Sequence, residues 1–335
     1  MEKPSDWSQR LTKALDEWNR SPDRFGRDYD HLFSKFVCTE RVESWDSFCR
    51  WSIELQEWGF RGQREASWGL QTSLERDAVH GGIRVSYSYG NTSGVRSLDR
   101  KIVGEQLLAH FRRLAPSYLR NLPPDNDLAS WLSLMQHYGG PTRLLDWTEC
   151  PFVAMYFALR NEPRKENDSA VWAIDLGWLE RKAQEILGPK GAAQTSHGCL
   201  STPDLVNALL REMQIPLVVR IDPQNRNERM AAQKGFFLWK LYEQMPLFDQ
   251  MLIDMMLHPG VVESPVVRRL EIGPSLRRSF LERLCREKNI HEASLFPGDD
   301  FCEPLRLELR ARVDRAKTEF EAELRSIQMS ETIHG

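Results

Sequence analysis

The chain has 335 residues, enough for one large domain or two. Its 41% hydrophobic and 28% charged content is that of an ordinary globular protein, and a formal net charge of −3 argues against attachment to nucleic acid by bulk charge, though a local basic groove stays open. Six cysteines (Cys38, Cys49, Cys150, Cys199, Cys285 and Cys302) are scattered without a CxxC pair, so reduced thiols and no metal are expected. No apolar run approaches the roughly 18–20 residues of a membrane span, and the opening Met1 to Asp6 is no secretory leader. A cytoplasmic protein with no membrane partner is expected.

In chain order, 8–36 reads as a polar helix with Leu11, Leu15 and Trp18 on one face. Ser44 is expected to cap a helix that carries Trp45, Phe48 and Ile53. A strand is predicted over Glu57 to Gly62, and the Ser-, Gly- and Tyr-rich stretch 81–97 reads as a loop and a mobile lid. Helices follow over Glu105 to Leu114, Leu128 to Tyr138 and Cys150 to Leu159. The β-rich runs Ala170 to Leu176 and Pro216 to Ile221 bracket a segment of helix and loop character. Further strands are predicted over Gln233 to Leu241 and Val266 to Ile272, then a helix over Ser275 to Lys288. Helices mixed with separated short strands give an α+β class.

The C-terminal segment carries Leu305, Leu309, Val313, Ala316, Phe320, Leu324 and Ile327 in a heptad-like stripe. Two readings stand: a helix packed on its own domain, or one that pairs with a partner or a second copy in a dimer.

Chemistry concentrates between Trp131 and Ala158. A helix-like run ends in Gln136-His137-Tyr138, a Gly139-Gly140-Pro141 breaker follows, and Thr142, Arg143, Asp146 and Thr148 then fall within seven residues. Such polar groups need partners if buried, and loops on rigid elements are where binding chemistry sits. Upstream, Phe60-Arg61-Gly62-Gln63 is followed by Trp68, Leu70 and Arg76. Downstream come Arg229, Gln233, Gly235 and Phe237, then Ile290 to Pro297. In this order the four motifs resemble those of the FRG-domain family, named after Phe-Arg-Gly, over about Val42 to Leu309. On that resemblance, 1–41 is a helical N-terminal extension, 42–303 the FRG domain and 304–335 an amphipathic helix.

Arg61 ends a predicted strand, where a guanidinium can fork onto phosphate or carboxylate, and Gly62 would let a ligand approach the backbone. The plainer alternative is an ion pair with Asp146. Histidine is the side chain suited to proton exchange at physiological pH, and a lone one is usually structural, but His137 precedes a glycine turn. If 143–147 is extended, Arg143 and Leu145 face one way and Leu144 and Asp146 the other. Trp147 reads as core rather than a platform. Arg229 and Gln233 stack if helical, and Gln233 either offers its amide to a ligand or braces the turn.

P-loop, GxSxG, HExxH and GxGxxG signatures are missing. The order of parts is nevertheless similar, more distantly, to ADP-ribosyltransferases, which implies an ADP-ribosyltransferase-like core with a mixed small sheet, helical insertions and helical extensions at both ends. The likeness gives Arg61 the dinucleotide and His137 or Tyr156 the nicotinamide side, with NAD as substrate. It also calls for a late glutamate pair, but Glu228 stands alone, so Asp146, Glu105 or Glu228 has to serve as the carboxylate. Gln63, Thr142, Arg143, Thr148, Arg229 and Gln233 complete the expected binding set. The resemblance implies ADP-ribose transfer to nucleic acid or protein, in a toxin or phage-defence setting with an antitoxin-like partner. The competing readings are a non-catalytic nucleotide- or nucleic-acid-binding module, and a scaffold that pairs through its C-terminal helix.

Overall fold

The computed structural model describes residues 34, 36–80, 84–89, 92–97, 100–161, 167–192, 195–196, 199–200, 217–223, 226–241, 252, 255, 265–297, 304–315 and 318, with the backbone alone inside 77–103 and 186–200. The expected helix over 8–36 falls almost wholly outside these residues. The elements are β1 (Val37–Val42), α1 (Trp45–Glu54), β2 (Trp58–Gln63), α2 (Ser73–His80), β3 (Arg84–Tyr89), β4 (Thr92–Ser97), α3 (Arg100–Leu114) and α4 (Leu128–His137). They continue with β5 (Leu144–Thr148), α5 (Pro151–Leu159), β6 (Ser169–Asp175), α6 (Leu176–Ala192), β7 (Thr195–Ser196), β8 (Cys199–Leu200) and β9 (Val218–Ile221). Last come α7 (Glu228–Ala232), β10 (Gly235–Lys240), β11 (Val267–Ile272), α8 (Arg277–Lys288), α9 (Glu292–Leu295) and α10 (304–315).

Contacts divide the chain into two compact units, Met1–Leu70 with Leu145–Asp299, and Gln71–Leu144 with Asp300–Gly335. The first holds a mixed α/β arrangement. Among the described residues its sheet has nine strands in the order β1-β11-β6-β2-β5-β10-β9-β8-β7, larger than the small sheet expected. β1 runs parallel to β11, whereas β11 with β6, β6 with β2, and β10 with β9 are antiparallel. β6 explains its central place by composition. Six of its seven residues, Ser169 to Ile174, are buried, as a strand covered on both faces requires. β1 was not anticipated. Val37 and Val42 are buried at its ends, and charged residues sit between them, which hides the strand from a search for apolar runs.

One face of this sheet carries α1, α5, α8 and α9 over a continuous core. Ser44 caps α1 as expected, accepting from the Ser47 N–H at 3.2 Å while Ser47 Oγ accepts from the Ser44 N–H at 3.1 Å. The buried face of α1 is Trp45, Phe48 and Trp51. Ile53, expected on that face, is 66% exposed, because it falls outside the i, i+3, i+6 line the other three make. α5 is apolar all round and buried, and it packs against β2 at Gly62. A Cβ on Gly62 would stand 2.0 Å from the Ala154 carbonyl oxygen and 2.5 Å from the Ala158 nitrogen. The glycine therefore admits the backbone of a helix of this same chain, and the expectation that it admits a ligand is corrected.

The second unit contains α2, the β3–β4 hairpin, α3, α4 and α10. The stretch 81–97 is expected to be a loop, but its described residues, 84–89 and 92–97, are strands. They form an antiparallel pair with Tyr89 opposite Thr92. In the sequence Val85, Tyr87 and Tyr89 alternate with Ser86 and Ser88, the period of a strand. Phe111 and Trp131 meet edge to face at 6.1 Å in this unit's core. In α10, Leu305, Leu309 and Val313 are buried, so the described part of the apolar stripe faces the chain itself. Ala316, Phe320, Leu324 and Ile327 lie outside the described residues. Among the described residues no helix is long and apolar enough to cross a membrane.

Candidate functional site

β2 places Phe60 and Gly62 toward α5, and alternation sends Arg61 to the other side of the strand. Its guanidinium donates from Nη1 to the backbone carbonyl of Asp146 at 2.6 Å and lies 3.9 Å from that residue's carboxylate. The Arg61 side chain is only 15% exposed and the Asp146 side chain 66% exposed. Leu144, Leu145, Trp147 and Thr148 are all buried, which leaves Asp146 as the one residue of β5 that faces solvent. Leu144 and Asp146, which alternation places on one face, differ completely in exposure. Trp147 is core.

A second guanidinium approaches the same carboxylate. α7 is capped by Asn227, whose side chain accepts from the Met230 N–H at 2.7 Å, and this short helix presents Arg229. Arg229 is half-buried with its guanidinium 4.6 Å from the ring centre of Phe296. Burial pulls its pKa below the ordinary guanidinium value. The Asp146 charge opposes that shift and the nearby Arg160 adds to it. Arg160, at the C-terminus of α5, also lies over Phe296, at 4.7 Å, and 3.5 Å from the exposed carboxylate of Glu292. Among the described residues no hydrogen bond or salt bridge engages the Arg229 guanidinium.

Several expected binding residues spend their polar groups on the fold. Gln63 donates to the Gly69 carbonyl at 3.1 Å and accepts from the Trp172 indole at 2.6 Å. The Thr148 hydroxyl donates to the Gln233 carbonyl at 2.7 Å and accepts from the Cys150 N–H at 3.0 Å. Gln233 donates its amide to the Leu295 carbonyl at 3.0 Å, which is the bracing role weighed for it. Tyr156 is buried in α5 with its ring edge-on to Phe157. Arg160 lies 5.9 Å from its centre, and burial pushes the phenol pKa up. Glu228 is exposed in the first turn of α7.

The remaining candidates belong to the second unit. Glu105 is exposed on α3. His137 ends α4 with its ring edge-on to Tyr138 at 4.9 Å. Thr142 is buried and forms a turn, donating its hydroxyl to the Gln136 side chain and accepting from the Leu144 N–H at 3.1 Å. Arg143 lies over α3, where a Cβ on Gly104 would stand 3.2 Å from its Nε. Arg160, Glu292 and Phe296 were missed. Arg160 reads in sequence as an ordinary cation at a helix C-terminus, and Phe296 as one more apolar residue. Only the place of Phe296 in the Ile290 to Pro297 motif could have flagged it.

Residues 56–167 match the FRG domain family. The matched stretch contains Arg61, Asp146, Tyr156 and Arg160 and stops before Arg229, Gln233 and Phe296. No curated protein and no solved structure matches the chain.

Proposed function

We propose that the cluster of Arg61, Asp146 and Arg229 binds NAD and cleaves its nicotinamide–ribose bond, passing ADP-ribose to a protein or nucleic-acid acceptor. The observation that carries this reading is an exposed carboxylate, Asp146, flanked by one guanidinium 3.9 Å away and by a second, half-buried one that feels its charge. Cleavage of the glycosidic bond builds positive charge on the ribose, and a fixed carboxylate stabilises it. Guanidinium forks match phosphate oxygens and hold the dinucleotide still while this happens. In this reading Arg61 sets the position of Asp146 through the bond to its backbone carbonyl. Roles fall only on residues of the first unit. The engagement of Asp146 with Arg61 also suits a second reading, a module that binds the nucleotide without turning it over.

Incubating the purified chain with labelled NAD and a mixture of cellular protein, RNA and DNA tests the reading. Free nicotinamide and label in one macromolecular fraction are expected, and Arg61→Ala should abolish both. A charge-assisted contact of this kind is worth about 1.5–3 kcal/mol. Arg61→Lys keeps the charge without the fork and should also lose most activity. If neither variant folds, Arg61 is a structural ion-pair member and its assignment as a ligand group fails.

A further inference from the structure

We infer that Arg160 and Arg229, gathered over the ring of Phe296, form a clamp for a diphosphate group, completed by a segment outside the matched FRG stretch. The inference rests on the reading of this site as one for a phosphate-bearing ligand, and it supplies the group that such a ligand would present. The two guanidinium carbons lie 4.7 and 4.6 Å from the centre of one ring. An aromatic face attracts a cation through its quadrupole, and one ring can hold two planar guanidiniums without using up any of their N–H donors.

The ring itself is fixed. The Gln233 amide holds the Leu295 carbonyl at 3.0 Å, Leu295 is buried, and Phe157 meets Phe296 edge-on at 6.1 Å. The Gln233 amide is thus the brace of the clamp's mount. Tyr156 and Phe157 also lie 5.9 Å from the Arg160 guanidinium, so that arginine is bedded on three rings.

Charge favours the same ligand. Three guanidiniums, of Arg61, Arg160 and Arg229, stand against two carboxylates, Asp146 and Glu292. Glu292 is 76% exposed and meets Arg160 at 3.5 Å, longer than the roughly 2.7–2.9 Å of a tight charge-assisted hydrogen bond. Arg160 and Arg229 repel one another, and burial adds to the cost for Arg229. An entering anion with two linked phosphates relieves both costs and gives each fork its own set of oxygens. Arg160 and Arg229 are then binding residues and Phe296 a positioning residue.

The test is calorimetric titration of the full chain with inorganic pyrophosphate, and with adenosine as an uncharged probe. Wild type should bind pyrophosphate with an affinity that falls as salt rises. Arg160→Gln and Arg229→Gln should each weaken it by about tenfold or more, as loss of a charge-assisted contact predicts. Phe296→Leu keeps an apolar side chain without the ring's face and should weaken pyrophosphate by about two- to tenfold, on the scale of a cation–π contact, while leaving adenosine unaffected. Arg160→Lys and Arg229→Lys keep the charge and the stem, guard against misfolding, and should still lose most of the affinity. No pyrophosphate binding by the wild type, or binding by the Gln or Lys variants equal to wild type, overturns the clamp. Arginine-dependent pyrophosphate binding in a chain that leaves NAD intact keeps the clamp and removes the NAD reading. NAD cleavage at wild-type rates by Arg160→Gln, with Arg61→Ala inactive, removes the clamp and keeps the NAD reading.

Discussion

Asp146→Asn should lower the rate of NAD cleavage by on the order of a hundredfold or more, the scale of a lost electrostatic or base contribution, while NAD still binds. The substitution removes the charge and almost no volume. Asp146 is 66% exposed in its side chain, so the fold should lose no more than about 0.5 kcal/mol, as for surface changes generally. Its backbone carbonyl, which holds Arg61, is untouched. Glu105→Gln and Glu228→Gln are the controls. Both carboxylates are exposed, Glu105 lies in the other unit, and no ion pair ties Glu228 to an arginine of the cluster among the described residues. Their rates should stay near wild type. Equal turnover in all three variants removes the carboxylate mechanism.

Gly62→Ala should be the most destabilising small substitution in the first unit. The added methyl meets helix backbone at 2.0 and 2.5 Å, and backbone cannot step aside as a side-chain tip can. β2 and α5 would have to separate, disturbing the core around Phe60 and Ala154. A loss of about 3 kcal/mol or more in denaturant unfolding is expected, at the upper end of overpacking effects. Gly235→Ala is the contrast, since its nearest neighbour is the flexible Met230 Cγ at 3.4 Å and it should cost far less. Wild-type stability in Gly62→Ala would contradict the packing of α5 on β2.

Legibility in the sequence followed the physics of each segment. The strands at 58–63, 169–175, 218–221, 235–240 and 267–272, and helices α1, α4, α5 and α8, announced themselves by apolar period and by breakers. β1 did not, because four of its six residues are polar, charged or cysteine and its partner β11 lies over two hundred residues away. The β3–β4 hairpin was hidden by its serines and glycines, which suit a loop equally well.

At the site, the motifs located Arg61, Asp146 and Arg229, but local spacing could not say which polar groups the fold itself consumes. Gln63, Thr148 and Gln233 are each paired with residues 6 to 109 positions away, and Arg160 acquires its meaning only when Phe296, far along the chain, comes beneath it. Gly62 shows the same limit in reverse: a glycine beside an arginine suggests a ligand, and the close neighbour is α5.

The most direct measurement is amide hydrogen exchange of the wild-type chain with and without saturating NAD. Slower exchange is expected in peptides covering 144–161, 227–235 and 289–297, the segments that carry Asp146, Arg160, Arg229 and Phe296. NAD that leaves these three segments unchanged, whether it protects other parts of the chain or none, would contradict the assignment of this site.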